Sequence, residues 1–284
     1  MLVLFRHGMD DSTNIVLFGL SGADMVYSCS ETYYRLMYIT ARLNILLGYR
    51  LSSFYLAIFI FISAYGTCTS VWLVSLISIE RMIAVCFPFQ VSRLMSPTRM
   101  RCMVVFVFTF VAVLYSPWYG RYYLEYALDR RNNKTFLTYF ERKGYSDNKW
   151  WINIILDHIL PAFASPVPMV TILMCTFATI IKLFKANTDI GRLSTSRTKR
   201  VNEMRSIKIS LTICCCMAFS ILVPNAWFDA FSSFGVAYIP LDVIIILRSF
   251  TQLVVQINAT MNFFIYVALS PKFKSTCFNL IQCK

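Results

Sequence analysis

Glu80 and Arg81 stand side by side at the end of a long apolar run, and Asp24 stands alone inside another. Charge in such surroundings is expensive: on insertion scales an acid or a base at the centre of a bilayer costs roughly 2.5–3.5 kcal/mol. Residues that persist there need partners and mark function. An adjacent acid and arginine can hold a buried cation as an ion pair until another partner offers something better. Other chemistry is thin. His7 and His158 lie far apart, and no Cys-x-x-Cys or Cys/His spacing suggests a structural metal. No nucleophile–base pair or phosphate-binding loop occurs, so the chain is not expected to be an enzyme or to need an organic cofactor.

The elements that position these residues must be membrane helices. Of the 284 residues 57% are hydrophobic, 16% aromatic and 14% charged, whereas soluble domains carry about 25% charged residues. The net charge of +13 does not indicate a nucleic-acid partner, because the basic residues punctuate apolar runs instead of coating a polar domain. The ten cysteines form no secreted disulfide framework. Most sit inside apolar stretches as small hydrophobes, and only Cys29 falls near the expected outer surface.

A bilayer core of about 30 Å takes roughly 20 apolar residues to cross as a helix. Six candidate spans fit, at roughly 13–38, 52–84, 102–120, 151–183, 207–232 and 239–267. They form one transmembrane domain over 1–284, all-α in class, with a short tail at 271–284. The loops set the orientation. The segments 85–101, 184–206 and 271–284 hold twelve basic residues against two acids, and 121–149 holds seven against four. The positive-inside bias puts the first three segments and the C-terminus in the cytosol. Six spans then put the N-terminus there too, and residues 1–7 are too short and basic-ended to span.

Glu80-Arg81-Met82-Ile83-Ala84-Val85-Cys86-Phe87-Pro88-Phe89 resembles the acid–arginine signature, with its following Ile/Ala/Val run and proline, of the rhodopsin-like G-protein-coupled receptors. Asn258-Ala259-Thr260-Met261-Asn262-Phe263-Phe264-Ile265-Tyr266 is similar to that family's last-helix element. Asn14, Leu20 and Asp24 are spaced as in its second helix, and Pro224 sits where its sixth helix kinks. The resemblance implies a seven-helix receptor bundle of the plasma membrane with six helices present in this chain, the first one lacking a counterpart. Nearest in pattern are invertebrate neuropeptide receptors of the FMRFamide type and chemosensory orphan receptors.

The resemblance also implies site roles. Glu80, Arg81, Pro88, Asn262 and Tyr266 would serve G-protein coupling and switching; the blander reading of Arg81 is a snorkelling cation. Asp24, Ser70, Asn258 and Asn262 would form a polar cluster able to hold an allosteric sodium ion, Asp24 being otherwise a satisfied structural carboxylate. Ser63 occupies the third-helix position that is aspartate in amine receptors, which argues against an amine ligand. Ser63, Thr67, Asp157, Asp229, Asp242 and Arg248 line the expected outer mouth, whose acids suit a cationic peptide such as one ending in Arg-Phe-amide. Asn133 fits a glycosylation acceptor, and Cys277 and Cys283 fit palmitoylation. The family's outer disulfide has no cysteine here: counting 25 residues back from Arg81 gives Leu56, and 121–149 contains none. The expected partners are thus an extracellular ligand, a heterotrimeric G protein and membrane lipid. The rivals are a non-signalling receptor fragment or decoy and a six-helix channel or transporter.

Overall fold

A computed structural model of the chain describes residues 12–119, 122–129, 134–143, 149–155, 159–164, 166–189, 212, 215–216, 241–269 and 275. In chain order the elements are α1 (Ser12–Leu43), α2 (Ile45–Phe54), a π-helical turn (Tyr55–Phe59), α3 (Ile60–Cys86) and α4 (Val91–Leu94). They continue with α5 (Pro97–Tyr119), β1 (Tyr122–Asp129), β2 (Lys134–Glu141), α6 (Lys149–Ile154), α7 (Leu160–Ala164), α8 (Pro166–Asp189) and α9 (Leu241–Leu269). Two compact units emerge from these: Met1–Gly19 with Leu73–Cys102 and Pro168–Lys284, and Leu20–Trp72 with Met103–Val167. The expected span at 207–232 lies almost wholly outside the described residues, as does the tail at 271–284.

The helices overrun the apolar spans, and their caps explain where they stop. Ser96 accepts from the Arg99 backbone N–H at 3.5 Å, and Pro97 fits the first helical position, where its missing N–H costs nothing. So α5 begins at Pro97, ahead of the expected 102. Helix α1 runs on to Leu43, because Arg35 and Arg42 are compatible with helix once past the hydrocarbon. It breaks at Asn44, whose side chain accepts from the Leu47 N–H at 3.2 Å. The turn is tight enough that a Cβ on Gly48 would meet the Ala41 Cα at 2.5 Å.

The stretch Arg50–Cys86 and the helix segment Pro97–Pro117 are each long and apolar enough to cross a membrane. Helix α5 adds a second sign of lipid. Met100, Val107, Val111 and Tyr115 make its buried stripe, yet Val105, Phe106 and Val113 on other faces are largely exposed. A helix whose exposed faces are as apolar as its buried one suits hydrocarbon better than water.

Helices α1 and α3 run antiparallel and touch closely. Gly66 allows the approach: a Cβ there would sit 2.9 Å from the Tyr27 backbone nitrogen and 3.1 Å from the Ala23 carbonyl oxygen. Small residues at such crossings let backbones meet where lipid removes the hydrophobic drive. Around this contact Ala23, Tyr27, Phe61 and Cys68 are buried. Tyr65 donates to the Phe108 carbonyl at 3.2 Å and Trp72 Nε1 to the Phe163 carbonyl at 3.0 Å, tying α3 to α5 and α7.

The 121–149 segment is expected from its composition to be a loop. It instead contains an antiparallel hairpin, with Tyr122 opposite Glu141 and Asp129 opposite Lys134. Strands rich in Tyr, Thr and Phe favour this pairing. The hairpin is pinned without a disulfide: Ser53 Oγ donates to the buried Leu137 carbonyl at 2.7 Å. The π-turn at Tyr55–Phe59 accommodates an extra residue, so a count back from Arg81 along an ideal α-helix slips by one beyond it.

Two expectations follow for thermal unfolding of the purified chain in detergent. Gly66→Val drives a branched side chain into the α1 backbone and lowers stability by about 1–3 kcal/mol. Ser53→Ala strands the Leu137 carbonyl and costs about 1–3 kcal/mol.

Candidate functional site

Three polar rungs cross from α1 to α3, each built by an acid on one helix and a hydroxyl on the other. Successive positions on α1, Glu31, Asp24 and Thr13, are two and then three turns apart. Ser63, Ser70 and Arg81 repeat that spacing on α3, so each rung meets its partner in antiparallel register.

The rung at the start of α1 holds the acid–arginine pair. Glu80 Oε1 accepts from Ser12 Oγ at 2.5 Å and from Thr13 Oγ1 at 3.1 Å. Arg81 Nη2 donates to Thr13 Oγ1 at 2.6 Å, while its distance to Glu80 Oε2 is 3.9 Å. That ion pair is far longer than the roughly 2.7–2.9 Å of a charge-assisted hydrogen bond. The cause is helical: adjacent residues point about 100° apart and do not face each other. Thr13 therefore links the two, accepting from the arginine and donating to the acid. Glu80 is 3% exposed. Its Oε2 and Arg81 Nε have no hydrogen-bond partner among the described residues. Pro88 sits in the exposed turn beyond Cys86, where Phe87 N–H bonds the Ile83 carbonyl at 2.8 Å.

In the middle rung Ser70 Oγ donates to Asp24 Oδ1 at 2.7 Å. Both donor groups are oxygens, and the Ser70 oxygen keeps lone pairs to offer, so the pair suits a hard cation such as sodium better than a soft metal. Asn258 is buried on α9, with Asn262 one turn further along the same helix.

The third rung joins two residues of quite different expectation. Ser63 Oγ donates to Glu31 Oε1 at 2.9 Å. Thr67 turns its hydroxyl to the Ser63 carbonyl at 3.0 Å, within its own helix.

Asp242, Arg248, Asn262 and Tyr266 lie along α9, with side chains outside the described residues. Asp157, Asp229, Asn133, Cys277 and Cys283 also fall outside them. Sequence reasoning missed Ser12, Thr13 and Glu31. The first two look like an ordinary polar helix start. Glu31 looks like the end of a span, although its seven-residue spacing from Asp24 puts both acids on one helix face.

Removing the bridging hydroxyl tests the first rung. Thr13→Val leaves Arg81 and Glu80 each short of a hydrogen bond and lowers thermal stability in detergent by about 1.5–3 kcal/mol, whereas Thr13→Ser retains most of it.

No curated protein matches the chain at a significant level. The family profile described as "7 transmembrane receptor (rhodopsin family)" matches residues 1–271. That family consists of multi-pass plasma-membrane receptors that act through G proteins and are not enzymes. With apolar membrane-length helices and a match running over nearly its whole length, the chain belongs to the rhodopsin family of seven-transmembrane receptors.

Proposed function

We propose that this receptor is activated by an extracellular peptide carrying a cationic group, and that it signals by releasing Arg81 from the Thr13–Glu80 rung. The observation that carries the reading is the looseness of that rung. Arg81 is held through a neutral hydroxyl, and its direct pair with Glu80 stretches to 3.9 Å. A partner offering a better acceptor can draw the guanidinium away at modest cost, which is what a two-state switch needs. On this reading a heterotrimeric G protein meets the end of α3 near Glu80, Arg81 and Pro88, with Asn262 and Tyr266 of α9 sharing the rearrangement.

The choice of a peptide rests on separate support. Ser63 stands where an amine receptor would have an acid, and the hairpin exposes Tyr123, Tyr126 and Phe140. A two-stranded sheet also offers backbone groups along a strand edge, which extended peptides pair with readily. Asp157, Asp229, Asp242, Arg248 and Thr67 complete the candidate ligand surface. The resemblance to invertebrate neuropeptide receptors points the same way. The loop charge bias supports a cytosolic C-terminus, which leaves Asn133 on the glycan-bearing side and Cys277 and Cys283 beside the inner leaflet, where palmitate is added. Asp24 and Ser70, with Asn258 and Asn262, would hold a sodium ion that favours the inactive state.

Nucleotide exchange on a purified heterotrimeric G protein, with the full chain in lipid nanodiscs, tests the reading. A basic amidated peptide from a screened panel stimulates exchange, and Arg81→Ala abolishes the response. Thr13→Val raises basal exchange roughly fivefold, the effect of about 1 kcal/mol removed from the resting state. Replacing choline chloride with sodium chloride lowers basal exchange in the native chain and leaves Asp24→Asn unchanged. A folded, surface-expressed chain that never stimulates exchange is a decoy.

A further inference from the structure

Between Glu80 and Glu125 the chain carries no acid, yet Arg93, Arg99 and Arg101 crowd the connection from α4 into α5. The first turn of α5 holds no acid, and Arg99 stands there instead. That placement opposes the helix macrodipole, whose positive end lies at the N-terminus and favours anions. Arg93 and Arg99 are both exposed. Arg99 Nη1 donates to the Arg93 carbonyl, which folds the Arg99 side chain back across the α4–α5 connection toward Arg93. Among the described residues neither guanidinium is paired with a carboxylate. Membrane sorting accounts for basic residues in this loop. It does not require one in the first turn of a helix, where only an anion from outside the chain offsets the charge.

The depth of the cluster says what kind of anion that is. Arg99, Cys102, Phe106, Thr109 and Val113 follow at steps of three and four, so they share one face of α5, and all five are exposed. Phe106 and Val113, at 66% and 64% exposure, belong in hydrocarbon. Met100, fully buried, marks the face turned inward. Arg99 precedes Phe106 by two turns on the outer face, about 10 Å along the axis. It therefore lies at the level of the lipid headgroups and faces lipid. Phe89, 96% exposed, and Leu94, 39% exposed, flank Arg93 with apolar side chains that suit the same interface.

We propose that Arg93 and Arg99 seat the headgroup of an anionic membrane lipid bearing a phosphomonoester, as phosphoinositides do, at the start of α5. Guanidinium forks match phosphate oxygens bidentately, and the backbone N–H groups of a helix start add donors aimed at the same kind of guest. A phosphomonoester carries nearly two charges, so it answers two arginines where a phosphodiester or a carboxylate answers one. Arg101, also exposed, has an interaction of its own, and the site does not depend on it. The proposal takes 85–101 to face the cytosolic leaflet, as the loop charges imply. It draws nothing from the peptide reading of the ligand.

The full chain in lipid nanodiscs tests this, with the thermal unfolding midpoint followed as a phosphatidylinositol bisphosphate replaces phosphatidylcholine. The midpoint is expected to rise and saturate, and phosphatidylserine supplying the same total charge to raise it less. Combining Arg93→Gln with Arg99→Gln raises the half-saturating lipid fraction roughly 30-fold, about fivefold for each arginine near an anionic surface. Lysine at both positions keeps the charge without the fork and retains part of the gain. Arg142→Gln, at an exposed arginine just beyond β2, leaves the gain intact. Equal midpoints for the native chain and the double glutamine variant across the series overturn the proposal. Equal gains from phosphatidylserine and the bisphosphate overturn it too, because the attraction is then diffuse. Soluble inositol trisphosphate that reproduces the gain in pure phosphatidylcholine assigns the site to a free phosphate ligand and removes the lipid. An antibody that reaches a C-terminal tag on unpermeabilised cells puts 85–101 outside, away from the cytosolic leaflet, and also defeats the assignment.

Discussion

The close antiparallel contact between α1 and α3 is the constraint on which the described structure turns. In hydrocarbon, apolar side chains gain nothing by leaving lipid for one another, so helices adhere through close backbone approach and polar bonds. Gly66 supplies the approach against Tyr27 and Ala23. The bonds run from Ser63 to Glu31, Ser70 to Asp24, and Ser12 and Thr13 to Glu80. Each helix thus has its buried or half-buried acids hydrogen-bonded by hydroxyls of the other, which lowers the cost of taking them out of water.

A hydroxyl is a particular kind of partner for a carboxylate. It satisfies an oxygen and fixes an orientation, yet it brings no positive charge. A cation beside such an acid has to come from another residue or from outside the chain. For Glu80 it is the arginine of the same chain, held at arm's length through Thr13. For Asp24 it is a small hard ion in the proposed reading. One helix pair thus repeats a single acid–hydroxyl construction three times, with acids that differ in burial.

How much of this could be read from the sequence depends on whether the signal lay within one helix or between two. Glu80-Arg81 and Asp24 were legible because an ionisable residue in an apolar run is conspicuous by itself. The spans at 52–84 and 102–120 were legible for the same reason, with ends that differ from α3 and α5 because caps such as Ser96 act beyond the apolar stretch. Thr13 and Glu31 were not. Their importance comes from what faces them on α3, and periodicity along α1 carries no information about that. The hairpin was hidden by a different fact. Strand pairing joins residues as far apart as Tyr122 and Glu141, and a loop with seven basic residues reads as polar before it reads as paired.

The π-turn at Tyr55–Phe59 divides the long stretch from Ile45 to Cys86 into two parts with separate phases. One residue more than an α-helix needs rotates everything before it by about 100° about the axis. Ser53 sees the hairpin on account of that rotation, while Ser63, Ser70 and Glu80 lie past the turn and keep their facing toward α1. The two parts can consequently drift independently over evolution. Loss of a single residue within the turn re-aims the segment that meets the hairpin and leaves every rung in register, so the seating of the hairpin can be redrawn without disturbing the contacts between α1 and α3.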